Sequence, residues 1–90
     1  MHNLDLSKQA LRFIESLQLK QKKQIANKIQ ILLENPKPQD CEKLKSGDEY
    51  FRVDVGEYRI IYSIEKTKIL IFVIGKRNDD DVYHKFERVR

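Results

Sequence analysis

Residues 50–83, YFRVDVGEYRIIYSIEKTKILIFVIGKRNDDDVY, decide how this chain folds. The stretch opens with apolar and polar residues in alternation. Phe51, Val53 and Val55 fall on one face of an extended segment, and Tyr50, Arg52 and Asp54 on the other. Gly56–Glu57 has the form of a two-residue hairpin connection, with Gly56 free to take positive φ at the first turn position. Tyr58–Ile64 is apolar on both faces except for Arg59 and Ser63, and Glu65–Lys68 makes a second tight turn. Ile69–Ile74 is an unbroken apolar run, which suits a central strand covered on both sides. Gly75 ends it and Lys76–Arg77 follow. Val82 and Tyr83 fit a last short strand or turn, and Phe86 could pack back on the sheet.

Working outward, the N-terminal part has the period of helices. His2–Leu6 alternates weakly and could form a first strand. Asp5 or Ser7 can cap a helix, because a short oxygen-bearing side chain accepts a free N–H of the first turn. Ala10, Leu11, Phe13, Ile14 and Leu17 follow at helical spacing, with a break near Leu19–Lys20. A second helix carries Ile25, Ile29, Leu32 and Leu33 on one face and Lys20, Lys22, Lys23, Asn27 and Gln30 on the other. It must stop by Asn35, because the residue before Pro36 is pushed away from helical angles. Pro36–Asp48 is a loop that Leu44 anchors to the core. The expected architecture is a single α+β domain over residues 1–90. It has two layers: an antiparallel helical hairpin lies across one face of a mainly antiparallel sheet of three or four strands.

Composition limits what such a domain can do. Ninety residues hold one small core, and at 40% apolar and 36% charged residues the chain folds rather than staying disordered. The net charge of +4 lies entirely in residues 1–45, which hold nine Lys/Arg against five Asp/Glu. The lysine-rich face of the second helix either tracks a phosphate backbone or is merely solvated. One cysteine, Cys41, excludes a disulfide scaffold and favours a reducing compartment, and its acidic neighbours Asp40 and Glu42 make it a poor nucleophile. There is no apolar leader at the N-terminus and no apolar run long enough to cross a bilayer, so a cytoplasmic protein without a membrane partner is expected. Phosphate loops and dinucleotide fingerprints are absent. His2 and His84 lack partners at metal-ligand spacing, so neither a metal nor another cofactor is expected.

What remains is a cationic cluster with a phenol: Arg52, Arg59, Arg77 and Tyr83, with Lys45 and Lys76 nearby. A tight hairpin brings Arg52 and Arg59 close together, and Arg77 leaves the end of the apolar strand. Guanidinium groups grip phosphate bidentately and stabilise charge developing on it. Arg59 stands in an otherwise apolar strand, where a charge needs a paired anion. That anion is either a substrate phosphate or a neighbouring carboxylate, Asp54 or Glu57.

The segments GEYRIIY and GKR-x4-VY, together with EKLKSG in the preceding loop, resemble the RelE branch of the RelE/ParE toxin superfamily over nearly the whole chain. The resemblance implies a toxin of a type II toxin–antitoxin system that cuts translated mRNA on the ribosome and is held inactive by a RelB-like antitoxin, with a hetero-oligomer as the stored form. It also implies roles for individual residues. Arg59 stabilises the transition-state phosphate, Arg77 acts near the leaving group, Tyr83 stacks on and orients the mRNA, and Arg52 contacts phosphate. Lys45, Lys76, Lys20, Lys22 and Lys23 are then RNA- or ribosome-binding candidates. Asp54 departs from the pattern, since it stands where the family often has a lysine proposed as general base. It either takes the 2′-hydroxyl proton itself or pairs with Arg52 or Arg59. His84 is a second candidate base. The alternatives are a ParE-like DNA gyrase inhibitor without nuclease activity, or an attenuated toxin that only binds its antitoxin.

Overall fold

The computed structural model describes residues 1–44, 49–77 and 83. Its elements in chain order are β1 (Asn3–Leu6), α1 (Lys8–Glu15), α2 (Leu19–Glu34), β2 (Glu42–Lys43), β3 (Tyr50–Val55), β4 (Tyr58–Glu65) and β5 (Lys68–Lys76). Among the described residues the sheet has five strands, in the order β1-β5-β4-β3-β2. The three long strands form the antiparallel meander that their alternation and turns predict. Two short edge strands extend it. His2–Leu6 does contribute a strand, and it lies parallel to β5, with Asn3 opposite Lys68 and Leu6 opposite Ile71. Glu42–Lys43 pairs antiparallel with β3, a pairing that the loop assigned to Pro36–Asp48 did not include. Two residues carry no alternation to detect, so only the neighbouring β3 edge reveals β2 as a strand.

Both helices lie on one face. Ala10 of α1 and Ile25, Ile29 and Leu32 of α2 are buried against Phe51, Val53, Tyr58, Ile60, Tyr62, Ile69, Ile71 and Ile74. Ser7 is the cap of α1: its hydroxyl accepts from Ala10 N–H at 3.1 Å and donates to the Phe72 carbonyl at 2.5 Å. The break between helices comes earlier than the sequence suggests, at residues 16–18, with Ser16 closing α1 and Gln18 preceding α2. Leu11 has helical spacing but is 46% exposed, because an eight-residue helix turns only a narrow stripe toward the sheet. Both hairpin turns place a residue in left-handed backbone, Gly56 at φ 58° and Lys66 at φ 52°. The first turn has the glycine this conformation favours, whereas the second asks it of a lysine.

The unbroken apolar run of β5 has a specific cause. Ile61 pairs with Val73 but Tyr62 pairs with Ile71, so Phe72 is an extra residue at a β-bulge. Before the bulge, Ile69 and Ile71 face the helices; after it, Ile74 does. Val73 and Phe72 contribute instead to a second cluster on the opposite face, with Ile61, Leu44, Tyr50 and Tyr83. The bulge therefore changes which parity of β5 points inward. The outer edge of β5 beyond Leu6 is closed by a side chain acting as a peptide group. The Gln9 amide donates to the Ile74 carbonyl and accepts from the Ile74 N–H, both at 3.0 Å.

Candidate active site

The sheet face away from the helices carries the polar residues of β3 and β4. Alternation places Arg52 and Asp54 on this face, and antiparallel register sets Asp54 directly opposite Arg59 and Arg52 opposite Ile61. On the other side of β3, Glu42 is the register partner of Arg52. The bulge at Phe72 brings Arg77 to the same face. Strict alternation from Ile69 and Ile71 would have put residues 73, 75 and 77 beneath the helices, but Gly75 is the partner of Arg59 on the open face and Arg77 follows it two residues later.

These placements give a continuous network. Arg59 Nε donates to Asp54 Oδ1 at 2.6 Å and its Nη2 to Asp54 Oδ2 at 3.3 Å. Arg77 Nη1 reaches the same Oδ2 at 3.5 Å. Arg52 donates through both Nε, at 3.2 Å, and Nη2 to Glu42 Oε2. The Tyr83 hydroxyl closes the network, accepting from Arg59 Nη1 at 3.0 Å and from Arg52 Nη1. The Tyr83 ring also lies against Arg59, whose guanidinium carbon is 5.7 Å from the ring centre. Arg59 is the most enclosed of the three arginines, with its side chain 15% exposed, against 30% for Arg52 and 46% for Arg77. Glu42, Lys43, Leu44, Arg52 and Tyr83 line an adjoining groove of about 260 Å³.

The electrostatics follow from the pairing. The hydrogen bond from Arg59 holds the Asp54 carboxyl below its ordinary range, opposed by partial burial and reinforced by the charges of Arg59, Arg77 and Arg52. Glu42 is lowered in the same way by the hydrogen bond and charge of Arg52. A general base acting near neutrality works best with a raised pKa, so Asp54 is shifted away from that role. Of the two carboxylates left open for Arg59 by its sequence context, Asp54 is the one it bonds.

The chemistry of this face can be set beside known proteins. The family model for the ParE toxin of type II toxin–antitoxin systems, parDE, matches residues 4–81. The candidate toxin RelE1 of Methanocaldococcus jannaschii is 31% identical over 80 residues, which cover 83% of this chain and 89% of that protein. The chain belongs to the RelE/ParE toxin superfamily. It is thereby a toxin of a type II toxin–antitoxin system. Within the superfamily it is RelE-like. The RelE of the archaeal RelE–RelB complex from Pyrococcus horikoshii superposes with a TM-score of 0.76 at 25% identity, over 87% of this chain and 97% of that one. The isolated RelE toxin of Escherichia coli shares the fold, with a TM-score of 0.76 at 22% identity and complete coverage of both chains.

The RelE-like fold gathers some of the residues named from sequence and separates others. Arg52, Asp54, Arg59, Arg77 and Tyr83 meet on one face. Lys76 is the register partner of Tyr58, a residue buried under the helices, so it takes the helical side of β5. Lys20, Lys22 and Lys23 belong to α2, on the far side of the sheet from the arginines. Lys45, Val82, His84 and Phe86 lie outside the described residues. Glu42 was read from sequence only as an acidic neighbour of Cys41. A cross-strand partner of Arg52 becomes visible once β2 is recognised as a strand.

Proposed function

We propose that this toxin is a ribosome-dependent endoribonuclease that cleaves translated mRNA by attack of a 2′-hydroxyl on the adjacent phosphate. The products are a 2′,3′-cyclic phosphate and a free 5′-hydroxyl. The observation that carries the proposal is the convergence of Arg52 and Arg59 on a single oxygen, that of Tyr83, with Arg77 drawn to the same network by Asp54. Two guanidinium groups directed at one oxygen suit a non-bridging phosphoryl oxygen, whose charge grows in the transition state.

In this mechanism Arg59 and Arg52 hold the phosphate oxygens. Arg77, the most exposed of the three, stabilises or protonates the departing 5′-oxygen. Tyr83 yields its place on the arginines to the phosphate and orients a base in the groove beside it. The 2′-hydroxyl proton passes to His84 or, against its lowered pKa, to Asp54. The guanidinium groups supply the charge stabilisation of the step. A RelB-like antitoxin is the proposed regulatory partner, supported by the P. horikoshii relative, which was solved as a RelE–RelB complex. The cytoplasm is the proposed site of action.

The deciding experiment maps mRNA 5′ ends in a translating extract. Wild-type protein is expected to cut ribosome-bound message. Arg59→Ala with Arg77→Ala is expected to lose roughly 10²–10³-fold for each charged donor removed. Intact message with wild-type protein, or full activity in the double variant, would reject the nuclease. A second assignment, a ParE-like gyrase inhibitor, is favoured by Asp54, an anion where the resemblance calls for lysine. Inhibition of supercoiling without RNA cleavage would select it. Tight antitoxin binding with neither activity would identify an attenuated toxin.

A further inference from the structure

Arg52 and Arg59 are held in the same manner. Each is the direct cross-strand partner of a carboxylate, Glu42 from β2 for Arg52 and Asp54 from β3 for Arg59. Each uses its Nε and Nη2 on that carboxylate and directs Nη1 to the Tyr83 hydroxyl. We infer that Glu42 and Asp54 are a matched pair of positioning carboxylates: each grips the Nε–Nη2 edge of one arginine and so aims the two Nη1 groups at a single oxygen-binding point.

Without such a grip an arginine has no fixed orientation. Its long side chain samples many rotamers, and two guanidinium groups converging on one point repel each other. Binding then requires ordering both side chains, which costs conformational entropy. A carboxylate on the side-on edge fixes the plane of the guanidinium, offsets the repulsion and leaves the remaining edge facing the ligand. The register explains why this works here, because both pairs stand directly opposite across neighbouring strands. Asp54 does this twice, since its Oδ2 also lies 3.5 Å from Arg77 Nη1. An anion where a cation was expected thus becomes the piece that collects two cations.

The charge of the cluster points to the ligand class. Arg52, Arg59 and Arg77 against Glu42 and Asp54 leave one net positive charge, which a phosphodiester in the middle of a nucleic-acid strand neutralises. The phenol of Tyr83 occupies the oxygen point in the free protein, and a phosphoryl oxygen, taking charge-assisted bonds from both arginines, displaces it. The identity of that ligand rests on the nuclease proposal, whereas the clamp itself does not.

Two measurements test the clamp. Side-chain nitrogen spectra of the ¹⁵N-arginine-labelled protein report rotation of each guanidinium. Arg52 and Arg59 are expected to show separate, slowly exchanging Nη signals. Glu42→Gln should average those of Arg52 alone, and Asp54→Asn those of Arg59 alone. Averaged signals in the wild type, or variants that change nothing, would overturn the inference. On programmed ribosomes, Glu42→Gln is expected to slow single-turnover cleavage about tenfold, and the loss should vanish in an Arg52→Ala background. An equal loss in both backgrounds means that Glu42 acts without Arg52, as a proton acceptor would, and also overturns it. Wild-type protein that leaves mRNA intact rejects the nuclease instead, and the spectra still decide whether the clamp exists.

Discussion

Asp54 carries the difference between the sequence and its expected chemistry. Placed where the resemblance calls for a lysine, it bonds Arg59 through two contacts and draws Arg77. Its lowered pKa makes its contribution to stability dependent on pH. The unfolded carboxyl titrates near 3.9 and the folded one lower, so the pair stabilises the protein fully above about pH 4 and the contribution disappears as pH falls through the folded value. The side chain is 40% exposed, and solvent screening holds the effect to about 1 kcal/mol or less. Asp54→Asn is therefore expected to lower stability modestly at neutral pH and to match wild type in strongly acid solution, as read by urea unfolding at a series of pH values. A constant difference across the range would mean that the carboxylate charge is not what stabilises the pair. Position alone could not choose between Asp54 and Glu57 as the anion for Arg59, because both lie within a hairpin's reach of it. The register chose, since Asp54 stands opposite Arg59 on the same face.

Among the elements, β5 shows how little a strand's sequence says about its faces. The run Ile69–Ile74 correctly indicates a central strand with both sides covered, yet it hides the bulge at Phe72 because every residue there is apolar. That bulge is what turns Arg77 outward to Asp54. The upper edge of β5 depends on Gln9 in a comparable way. Its amide satisfies both backbone groups of Ile74, and no periodicity marks a single glutamine as a strand mimic. Gln9→Ala should leave those groups unpaired and destabilise the protein by about 1–3 kcal/mol, seen as a lower urea midpoint with an unchanged slope. It should also raise hydrogen exchange at Ile74 selectively. Stability equal to wild type would show that the edge does not need this partner.

Across the whole molecule, charge is divided between the layers. Residues 1–37, which build β1 and the helices, hold seven Lys/Arg against three Asp/Glu, while the rest of the chain is balanced. The proposed cleavage face is thus locally cationic on a neutral half, and the general positive field belongs to the helical layer behind it. If that layer contacts ribosomal RNA, Lys20→Gln with Lys23→Gln should reduce the slope of log binding constant against log salt by roughly 1–2. An unchanged slope would mean that these exposed lysines are only solvated. Among the described residues no helix is long and apolar enough to cross a membrane.

The sequence by itself determined the two-layer arrangement, because period 3.6 in the first part and period 2 in the second each leave one apolar face that only the other can cover. It also marked Arg52, Arg59, Arg77 and Tyr83, since cations beside an apolar core are conspicuous against their surroundings. Tertiary structure alone decided who pairs with whom. Glu42 reaches Arg52 only because a two-residue strand adds to the sheet edge, and Arg77 reaches Asp54 only because one extra residue in β5 reverses its alternation. Both depend on register between distant segments, and register is set by the summed packing of a whole strand rather than by any residue that can be read in isolation.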